Sequence, residues 1–238
     1  MPRSAGFERL WDATRGRYVD SFVPGEDRPM ASQHTQACAI VGGLAPYERY
    51  DRLIEVITHE DDLVFASFGI DEPALPNTEK PLGGTLRDDL TPPWWDVGRD
   101  VVRAQPFFRY LVHDALAESG HGDRIPALLL DWDRWAMKRC STSWTETWHG
   151  GTVSHGWSST PTRDLVQRVL GIEPAEPGFG VASIEPELGH LDWARGAAPC
   201  PAGLITVEVR PDVVRVDSPI PFDFAGARYD AGRHEIER

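Results

Sequence analysis

The sequence predicts a mainly α-helical protein that ends in a small antiparallel β-domain, and three observations support this fold class. Apolar residues recur at helical spacing over the first two-thirds of the 238 residues. The composition changes near residue 173, where a linker of sequence PAEPGFG follows. Beyond it, GLITVEVRPDVVRVDS alternates apolar and polar residues as half-buried strands do. We therefore predict a helical domain over residues 1–174 and a β-sandwich-like domain over residues 175–238.

The first helices are predicted from their capping residues and apolar spacing. Residues 4–13 have the pattern of the end of a helix, followed by an extended segment. Residues 32–44 place Ser32 at the N-cap and a Gly-Gly pair near the end. Pro46 opens a further helix over residues 47–59, with its apolar side chains on one face. The short turn between the last two predicts an antiparallel helical hairpin.

An irregular segment separates these helices from those that follow. Residues 60–95 are rich in Asp, Pro and Gly, and loops of this length in compact domains are often functional. Residues 96–120 predict a helix that is broken near a proline. Two further helices are predicted over residues 124–139 and 161–172, and the C-terminal residues 223–238 predict a hairpin.

The acidic composition argues against nucleic acid as a partner. The formal net charge is −13, and Lys and Arg are scattered along the chain, whereas phosphate contacts need clustered basic side chains. No stretch of about 18 apolar residues occurs, so we expect no membrane partner either. The N-terminal stretch lacks the apolar segment of a signal peptide. A cytoplasmic location is therefore predicted.

The sequence gives no sign of a metal or a cofactor. Cys38, Cys140 and Cys200 lie far apart and show no CxxC spacing. The eight histidines form no HExxH motif, and neither a phosphate loop nor a nucleotide fingerprint occurs. We therefore predict that the protein works without either kind of group.

Residues 143–159, SWTETWHGGTVSHGWSS, combine one carboxylate with many aromatic side chains. Around Glu146 the segment carries Trp144, Trp148, Trp157, His149 and His155. Glycoside hydrolysis needs two carboxylates, and aromatic faces pack well against sugar rings. The segment therefore supplies half of a glycosidase site. The alternative stays open that the tryptophans pack a core, that His149 is an ordinary loop residue, and that Glu146 is a capping or ion-paired acid.

Over residues 140–209 the sequence resembles the C-terminal part of the bacterial α-L-rhamnosidases of glycoside hydrolase family 78. The similarity lies in SWTETWHGG, SHGWSSTPTRDLVQRVLGIEPAEPGFG and IEPELGHLDWARGAAPCPAGLITVEV, which follow the family's order and spacing. LWDATRGRYVD, SQHTQACAIVGGLA and PFFRYLVHDALAESG resemble earlier parts of the family more loosely. The resemblance therefore covers most of the chain and is strongest in its second half.

The resemblance implies a fold and a set of roles. The family's catalytic domain is an (α/α)6 six-hairpin toroid, so the chain would form a partial toroid, the second half of that barrel, followed by a β-domain. Glu146 matches the family's general base in T-x-x-E-x-W, with Ser143 in place of the Thr. His155 matches the histidine of SHGW that reaches the bound sugar. Trp148 matches the aromatic residue beside the base and would line the pocket.

The sequence departs from the family where the general acid should lie. A stretch resembling D-x-P-x-R-D-E-x-x-x-W is not found, and DEPALP at residues 71–76 lacks its Arg and Trp. We therefore expect a fragment of a larger enzyme, one half of a split enzyme, or a half-barrel that self-associates. Such a chain should be weak or inactive alone, since protonation of a leaving group contributes about 10²–10⁴-fold.

Two other functions remain open at the level of sequence. The chain could be a non-catalytic carbohydrate-binding or assembly module that keeps the aromatic residues without the acid, or a truncated product that scarcely folds. Trp94 and Trp95, at the end of the irregular segment, are further candidates for stacking on a sugar, although aromatic residues after a double proline are also common local anchors. Whether the chain acts as a glycosidase or as a binding module, the expected ligand is a rhamnoside or a related glycoside.

Overall fold

A computed structural model describes residues 6–22, 24, 30–65, 96, 98–136, 142–148 and 152–238, with only the backbone of residue 136. Within these ranges, 38% of the residues are helical and 26% lie in strands, arranged in four sheets. The chain divides into two compact units, one of Met1–Gly120 with Trp135–Ser158 and the other of His121–Arg134 with Ser159–Arg238. The predicted division into residues 1–174 and 175–238 stays a prediction.

The first unit combines two small sheets with three helices. A 3-10 helix, Phe7–Leu10, leads into an antiparallel hairpin of β1 (Trp11–Asp12) and β2 (Arg17–Tyr18). A parallel sheet has β5 (Val101–Val102) between β3 (Ala31–Ser32) and β4 (Leu63–Val64). The helices are α1 (Gln33–Val41), α2 (Tyr50–Thr58) and α3 (Arg109–Glu118).

The sequence signals for α1 and α2 are confirmed. The Ser32 hydroxyl accepts a hydrogen bond from the backbone N–H of Thr35 and so caps α1. A 3-10 turn, Tyr47–Arg49, leads into α2, whose buried face carries Leu53, Ile54, Val56 and Ile57. The predicted hairpin of helices is therefore present, since α1 packs on both α2 and α3.

The helix predicted over residues 96–120 is only partly present. Its first part contains β5, and helical structure begins with the 3-10 turn Pro106–Phe108 before α3. Val101 and Val102 are both buried and pair with strands on either side. β-Branched residues suit such a doubly buried strand, and the proline prevents a helix from running through position 106. The helix predicted over residues 4–13 likewise gives way to β1.

The second unit contains two short helices and two four-stranded sheets. Each helix, α4 (Ile125–Asp131) and α5 (Thr160–Asp164), continues into a single π turn. One sheet has the order β13-β10-β9-β8 and the other β12-β11-β7-β6. Their strands are β6 (Ile172–Pro174), β7 (Ala182–Ile184), β8 (Ala194–Cys200), β9 (Gly203–Val209), β10 (Val213–Ser218), β11 (Phe222–Phe224), β12 (Ala227–Tyr229) and β13 (Gly232–Glu237).

The buried faces of these two sheets form one hydrophobic cluster. Ile184 and Phe222 contribute from one sheet, and Val207 and Val214 from the other, all without measurable exposure. The alternation predicted for residues 203–218 is therefore confirmed as the antiparallel pair β9 and β10. Polar side chains at the intervening positions form ion pairs on the solvent side, as Arg215 does with Glu208 and Glu235.

The prediction of a mainly α fold, built as a partial six-hairpin toroid, is wrong. Among the described residues there are five α-helices, the longest of ten residues, beside thirteen strands in four sheets, so the protein is a mixed α/β protein. All five strands described in the first unit have two residues each. Strands of two residues are too short to show a period-2 pattern in the sequence. Their pairing also depends on partners far away in the chain. In the described part of the chain, no helix is long and apolar enough to cross a membrane.

Candidate active site

The candidate site is a loop in the first unit whose two sides are joined by backbone hydrogen bonds. The N–H of Glu146 donates to the carbonyl oxygen of Thr152 at 2.9 Å, and the N–H of His155 donates to that of Trp144 at 2.8 Å. These bonds bring the acid and the histidine of the sequence motif to one place. The structure therefore brings Glu146 and His155 together, with Thr152 between them, and their predicted roles stay predictions.

Among the residues that the structure describes, Thr152 is the one that holds the Glu146 carboxylate. Its Oε2 accepts hydrogen bonds from the Thr152 backbone N–H at 3.1 Å and from the Thr152 hydroxyl at 3.2 Å. The backbone bond is the main reason why the pKa of Glu146 lies below its ordinary value, and it prevails over the loss of water contact, which acts in the opposite direction. The Thr152 hydroxyl and the nearby His155 lower the pKa further. Glu146 is therefore ionised at neutral pH.

The second carboxylate oxygen is the one available for chemistry. Among the described residues no donor is bonded to Oε1 of Glu146, and the side chain is partly exposed. An ionised carboxylate with one fixed and one open oxygen can accept a proton from a water molecule. This arrangement suits a general base. The two hydrogen bonds from Thr152 also orient the carboxylate.

His155 is linked to the carboxylate through the same threonine. Its Nδ1 lies 3.1 Å from the Thr152 hydroxyl oxygen, and the ring is partly exposed. A helical turn, Gly156–Ser158, follows, and the Ser158 hydroxyl donates to the carbonyl oxygen of Glu146 at 3.4 Å. The SHGWS sequence thus closes back onto the acid.

Trp148 anchors this loop in the core of the first unit. Its side chain has no exposed surface, its Nε1–H donates to the carbonyl oxygen of Ala104 at 2.8 Å, and its backbone N–H donates to Oε1 of Gln105 at 3.0 Å. The ring meets that of Trp135 edge-on at 5.6 Å. The predicted role of Trp148 in binding substrate stays a prediction; in the structure it contacts protein on all sides.

A buried glutamine holds Ala104, the residue to which the Trp148 indole is hydrogen-bonded. Gln33, at the start of α1, donates to the carbonyl oxygen of Ile57 at 2.6 Å and accepts from the N–H of Ala104 at 2.7 Å. The same Oε1 accepts from Arg109 at 3.3 Å. Since Gln33 is fully buried, these bonds fix the residue that receives the Trp148 indole. The position of the loop is thereby tied to α1 and α3.

The remaining tryptophans of the segment differ in their surroundings. Trp157 is 62% exposed and lies 5.8 Å from the ring of Phe107, so the interpretation that it packs a core is wrong. Trp144 is partly buried. His149, Trp94 and Trp95 lie outside the described residues, as does most of the irregular segment, and their predicted roles stay predictions.

Two cavities lie away from this loop, and neither is lined by Glu146. One, of about 350 Å³ in the first unit, is lined by arginines, among them Arg15, Arg52 and Arg99. Each of these three is ion-paired with a carboxylate. The other, of about 530 Å³, lies over paired charges on the solvent side of β9, β10 and β13.

Sequence reasoning missed Thr152, Gln105 and Gln33. Thr152 has a signal in retrospect, since it is a hydroxyl residue between the acid and the histidine. Gln33 and Gln105 have none, because their roles come from contacts with residues far along the chain. In the described ranges, no group of three or more His, Cys, Asp or Glu side chains is arranged to hold a metal ion.

Comparison with known proteins gives similarity in sequence and in fold. No protein-family model matches the chain. An α-L-rhamnosidase of Alteromonas sp. (strain LOR) is 28% identical over 135 residues, which cover 48% of this chain and 15% of that protein. The chain thus spans about a seventh of the length of this relative.

Two solved structures share the fold. A rhamnosidase of glycoside hydrolase family 78 from Bacillus sp. GL1 superposes with a TM-score of 0.56 at 20% identity, over 87% of this chain and 19% of that one. The α-L-rhamnosidase of Streptomyces avermitilis, in complex with L-rhamnose, gives 0.57 at 14% identity, over 85% and 21%. In part of its sequence and in most of its fold, the chain is therefore similar to the α-L-rhamnosidases of glycoside hydrolase family 78.

Proposed function

We propose that the chain forms part of a glycoside hydrolase that cleaves α-L-rhamnosides with inversion, and that Glu146 is its general base. One observation carries this proposal: Thr152 holds one oxygen of the Glu146 carboxylate with two donors, while no described residue donates a hydrogen bond to the other oxygen. The similarity of about half of the chain to an α-L-rhamnosidase supports the sugar class. The neighbour from Streptomyces avermitilis, which is in complex with L-rhamnose, supports it further.

In the proposed step, Oε1 of Glu146 takes a proton from a water molecule as that water attacks the anomeric carbon. A bond forms between the water oxygen and the carbon, and the bond from the carbon to the glycosidic oxygen breaks. Attack from the face opposite the leaving group inverts the configuration. The leaving oxygen receives a proton from a general acid, which the sequence motifs of this chain do not supply.

The lowered pKa of Glu146 is compatible with this role. An ionised carboxylate is ready to accept a proton, but a carboxylate with a low pKa is a weak base. A sugar that fills the space beside Oε1 excludes water, and loss of water raises the pKa of a carboxylate. We propose that substrate binding strengthens the base in this way, with His155 on a sugar hydroxyl. Trp94, Trp95 and Trp148 remain predicted contacts of the sugar pocket.

The test uses leaving groups that differ in their need for an acid. The dinitrophenolate of dinitrophenyl α-L-rhamnoside leaves without protonation, whereas the alkoxide of an alkyl α-L-rhamnoside must be protonated as it leaves. We expect slow hydrolysis of the first by the chain alone and none of the second. Glu146→Gln should reduce the rate by about 10²–10⁴-fold. Glu48→Gln, at an exposed position on the 3-10 turn before α2, is the matched control and should retain the rate.

Equal rates for the Glu146→Gln and Glu48→Gln variants would contradict the proposal. Saturable binding of L-rhamnose in calorimetry, without any turnover, would instead favour the non-catalytic carbohydrate-binding module. Adding a separate chain that carries the family's general-acid stretch should accelerate hydrolysis of the alkyl rhamnoside if the chain is part of a larger or a split enzyme.

A further inference from the structure

We propose that Thr152 is a positioning residue that fixes His155 as the tautomer with its proton on Nδ1, so that Nε2 meets the substrate as a hydrogen-bond acceptor. The assignment of the tautomer stands on the geometry of the described loop alone. Its consequence for substrate rests on the proposed function, in which His155 lies beside the sugar.

The first step concerns the direction of the Thr152 hydroxyl. Its oxygen lies 3.2 Å from Oε2 of Glu146, next to the 3.1 Å bond from the Thr152 backbone N–H to the same oxygen. An ionised carboxylate carries no proton and can only accept. If the hydroxyl did not donate to it, two electron-rich oxygens would face each other at hydrogen-bond distance. The hydroxyl proton therefore points to Glu146.

The second step concerns what remains for His155. A hydroxyl has one proton and two lone pairs. With that proton committed to Glu146, the Thr152 oxygen can only accept from the ring nitrogen Nδ1, which lies 3.1 Å away. A neutral imidazole carries one proton, so a protonated Nδ1 leaves Nε2 bare. Free imidazole side chains in water favour the opposite tautomer, and the loop must therefore impose this one.

The third step is the consequence for recognition. A bare Nε2 accepts a hydrogen bond from a sugar hydroxyl or from the attacking water, and it cannot donate one. The charge on Glu146 sets this preference, because it orients the threonine that orients the ring. The acid and the histidine thus act as one hydrogen-bonded unit of three side chains, in which Thr152 carries the link.

The tautomer can be measured directly by nuclear magnetic resonance on the ¹⁵N-labelled chain without any substrate. The spectrum is recorded at about pH 8.5, because the bare and protonated nitrogens of a neutral imidazole resonate far apart. The His155 signals are assigned by their loss in His155→Gln. We expect a protonated Nδ1 and a bare Nε2. Observation of the opposite tautomer in the unsubstituted chain would overturn the proposal.

Three variants separate positioning from folding. Thr152→Val keeps the shape and the backbone N–H but lacks the hydroxyl, and should shift His155 toward the Nε2–H tautomer. Thr152→Ser keeps the hydroxyl and should retain the original tautomer. Thr162→Val, at an exposed threonine of α5 in the other unit, is the control and should change nothing. A His155 signal that is unchanged in Thr152→Val would refute the role of Thr152.

Turnover then tests the consequence for substrate. On dinitrophenyl α-L-rhamnoside, Thr152→Val should lower kcat/KM by roughly tenfold or more, the usual effect of losing a hydrogen bond in a charged network, and Thr152→Ser should restore it. If the tautomer is as proposed but no variant of Glu146 affects turnover, the positioning claim stands and the proposed function fails. If Glu146→Gln abolishes turnover while the tautomer is Nε2–H, the function stands and this inference fails.

Discussion

The indole Nε1–H of Trp148 donates a 2.8 Å hydrogen bond to the carbonyl oxygen of Ala104, although the two residues lie 44 positions apart in the chain. Trp148 is two residues from Glu146, so one short segment carries both a buried anchor and a partly exposed acid. Because the ring has no exposed surface, its contribution in the structure is to hold the loop. The buried Trp148 therefore fixes the position of the backbone that carries the Glu146 carboxylate.

Removing this anchor should destabilise the first unit. Trp148→Ala deletes a fully buried ring and should cost about 3–5 kcal/mol of unfolding free energy. Trp148→Phe retains most of the apolar contact but leaves the Ala104 carbonyl without its donor, and should cost about 1–3 kcal/mol. Trp157→Ala, at an exposed ring, should change stability by no more than about 0.5 kcal/mol. Urea unfolding followed by circular dichroism measures all three, and equal costs for the two tryptophans would refute the anchor.

The Thr152 hydroxyl should also affect the titration of Glu146. Its hydrogen bond favours the charged carboxylate, so Thr152→Val should raise the pKa of Glu146 toward the ordinary value of 4.5. The backbone N–H remains in that variant, and it is the larger cause of the lowered pKa, so the return should be incomplete. Titration of the carboxyl ¹³C signal measures the pKa, and the acid limb of the pH–rate profile should move to higher pH in parallel. A pKa that does not rise would contradict the hydrogen bond.

Burial of His34 should make stability depend on pH. Partial burial lowers the pKa of His34 to about 4 from 6.5, and the ring packs 4.4 Å from that of Phe108. In the unfolded chain the imidazole takes up a proton near pH 6.5, whereas in the folded chain it does so only near pH 4. Stability from this residue is therefore full above about pH 6.5 and declines as the pH falls toward 4.

Unfolding free energies at several pH values between 4 and 7 check this dependence. His34→Gln should flatten the decline in that range. His190→Gln, at an exposed position in the other unit, should leave the curve unchanged. A decline that persists unaltered without His34 would assign it to another group.

Two glycines with positive φ allow the cost of a strained backbone to be compared with the cost of a steric clash. Gly171, just before β6, has φ +69°, and an added Cβ would lie 2.1 Å from the backbone carbon of Glu185. Gly178 has φ +74° with open space around it. Gly178→Ala should therefore cost about 1 kcal/mol, the strain of a left-handed backbone alone. Gly171→Ala should cost more, because β6 must move away from the segment after β7.

Thermal unfolding of the two glycine variants gives the comparison. A lower Tm for Gly171→Ala than for Gly178→Ala is the expected order. Equal shifts would mean that the close approach at Glu185 relaxes without cost. The requirement for glycine at position 171 would then come from its positive φ alone.

The sequence by itself determined those features that depend on neighbours along the chain. The cap at Ser32, the apolar face of α2 and the alternation in β9 and β10 are local patterns, and the structure has each of them. The segment around Glu146 also pointed to the acid and to His155. Local signals sufficed because these features arise from hydrogen bonds and side-chain spacing within a few residues.

Tertiary structure decided the rest. Val101 and Val102 become a central strand only because β3 and β4 lie on either side of them. Trp148 is buried because Ala104 and Gln105 receive it. Thr152 acquires its role when backbone pairing brings it back onto Glu146. Each of these depends on contacts between segments far apart in sequence or on the closing of a loop, and the composition of a single segment does not encode them.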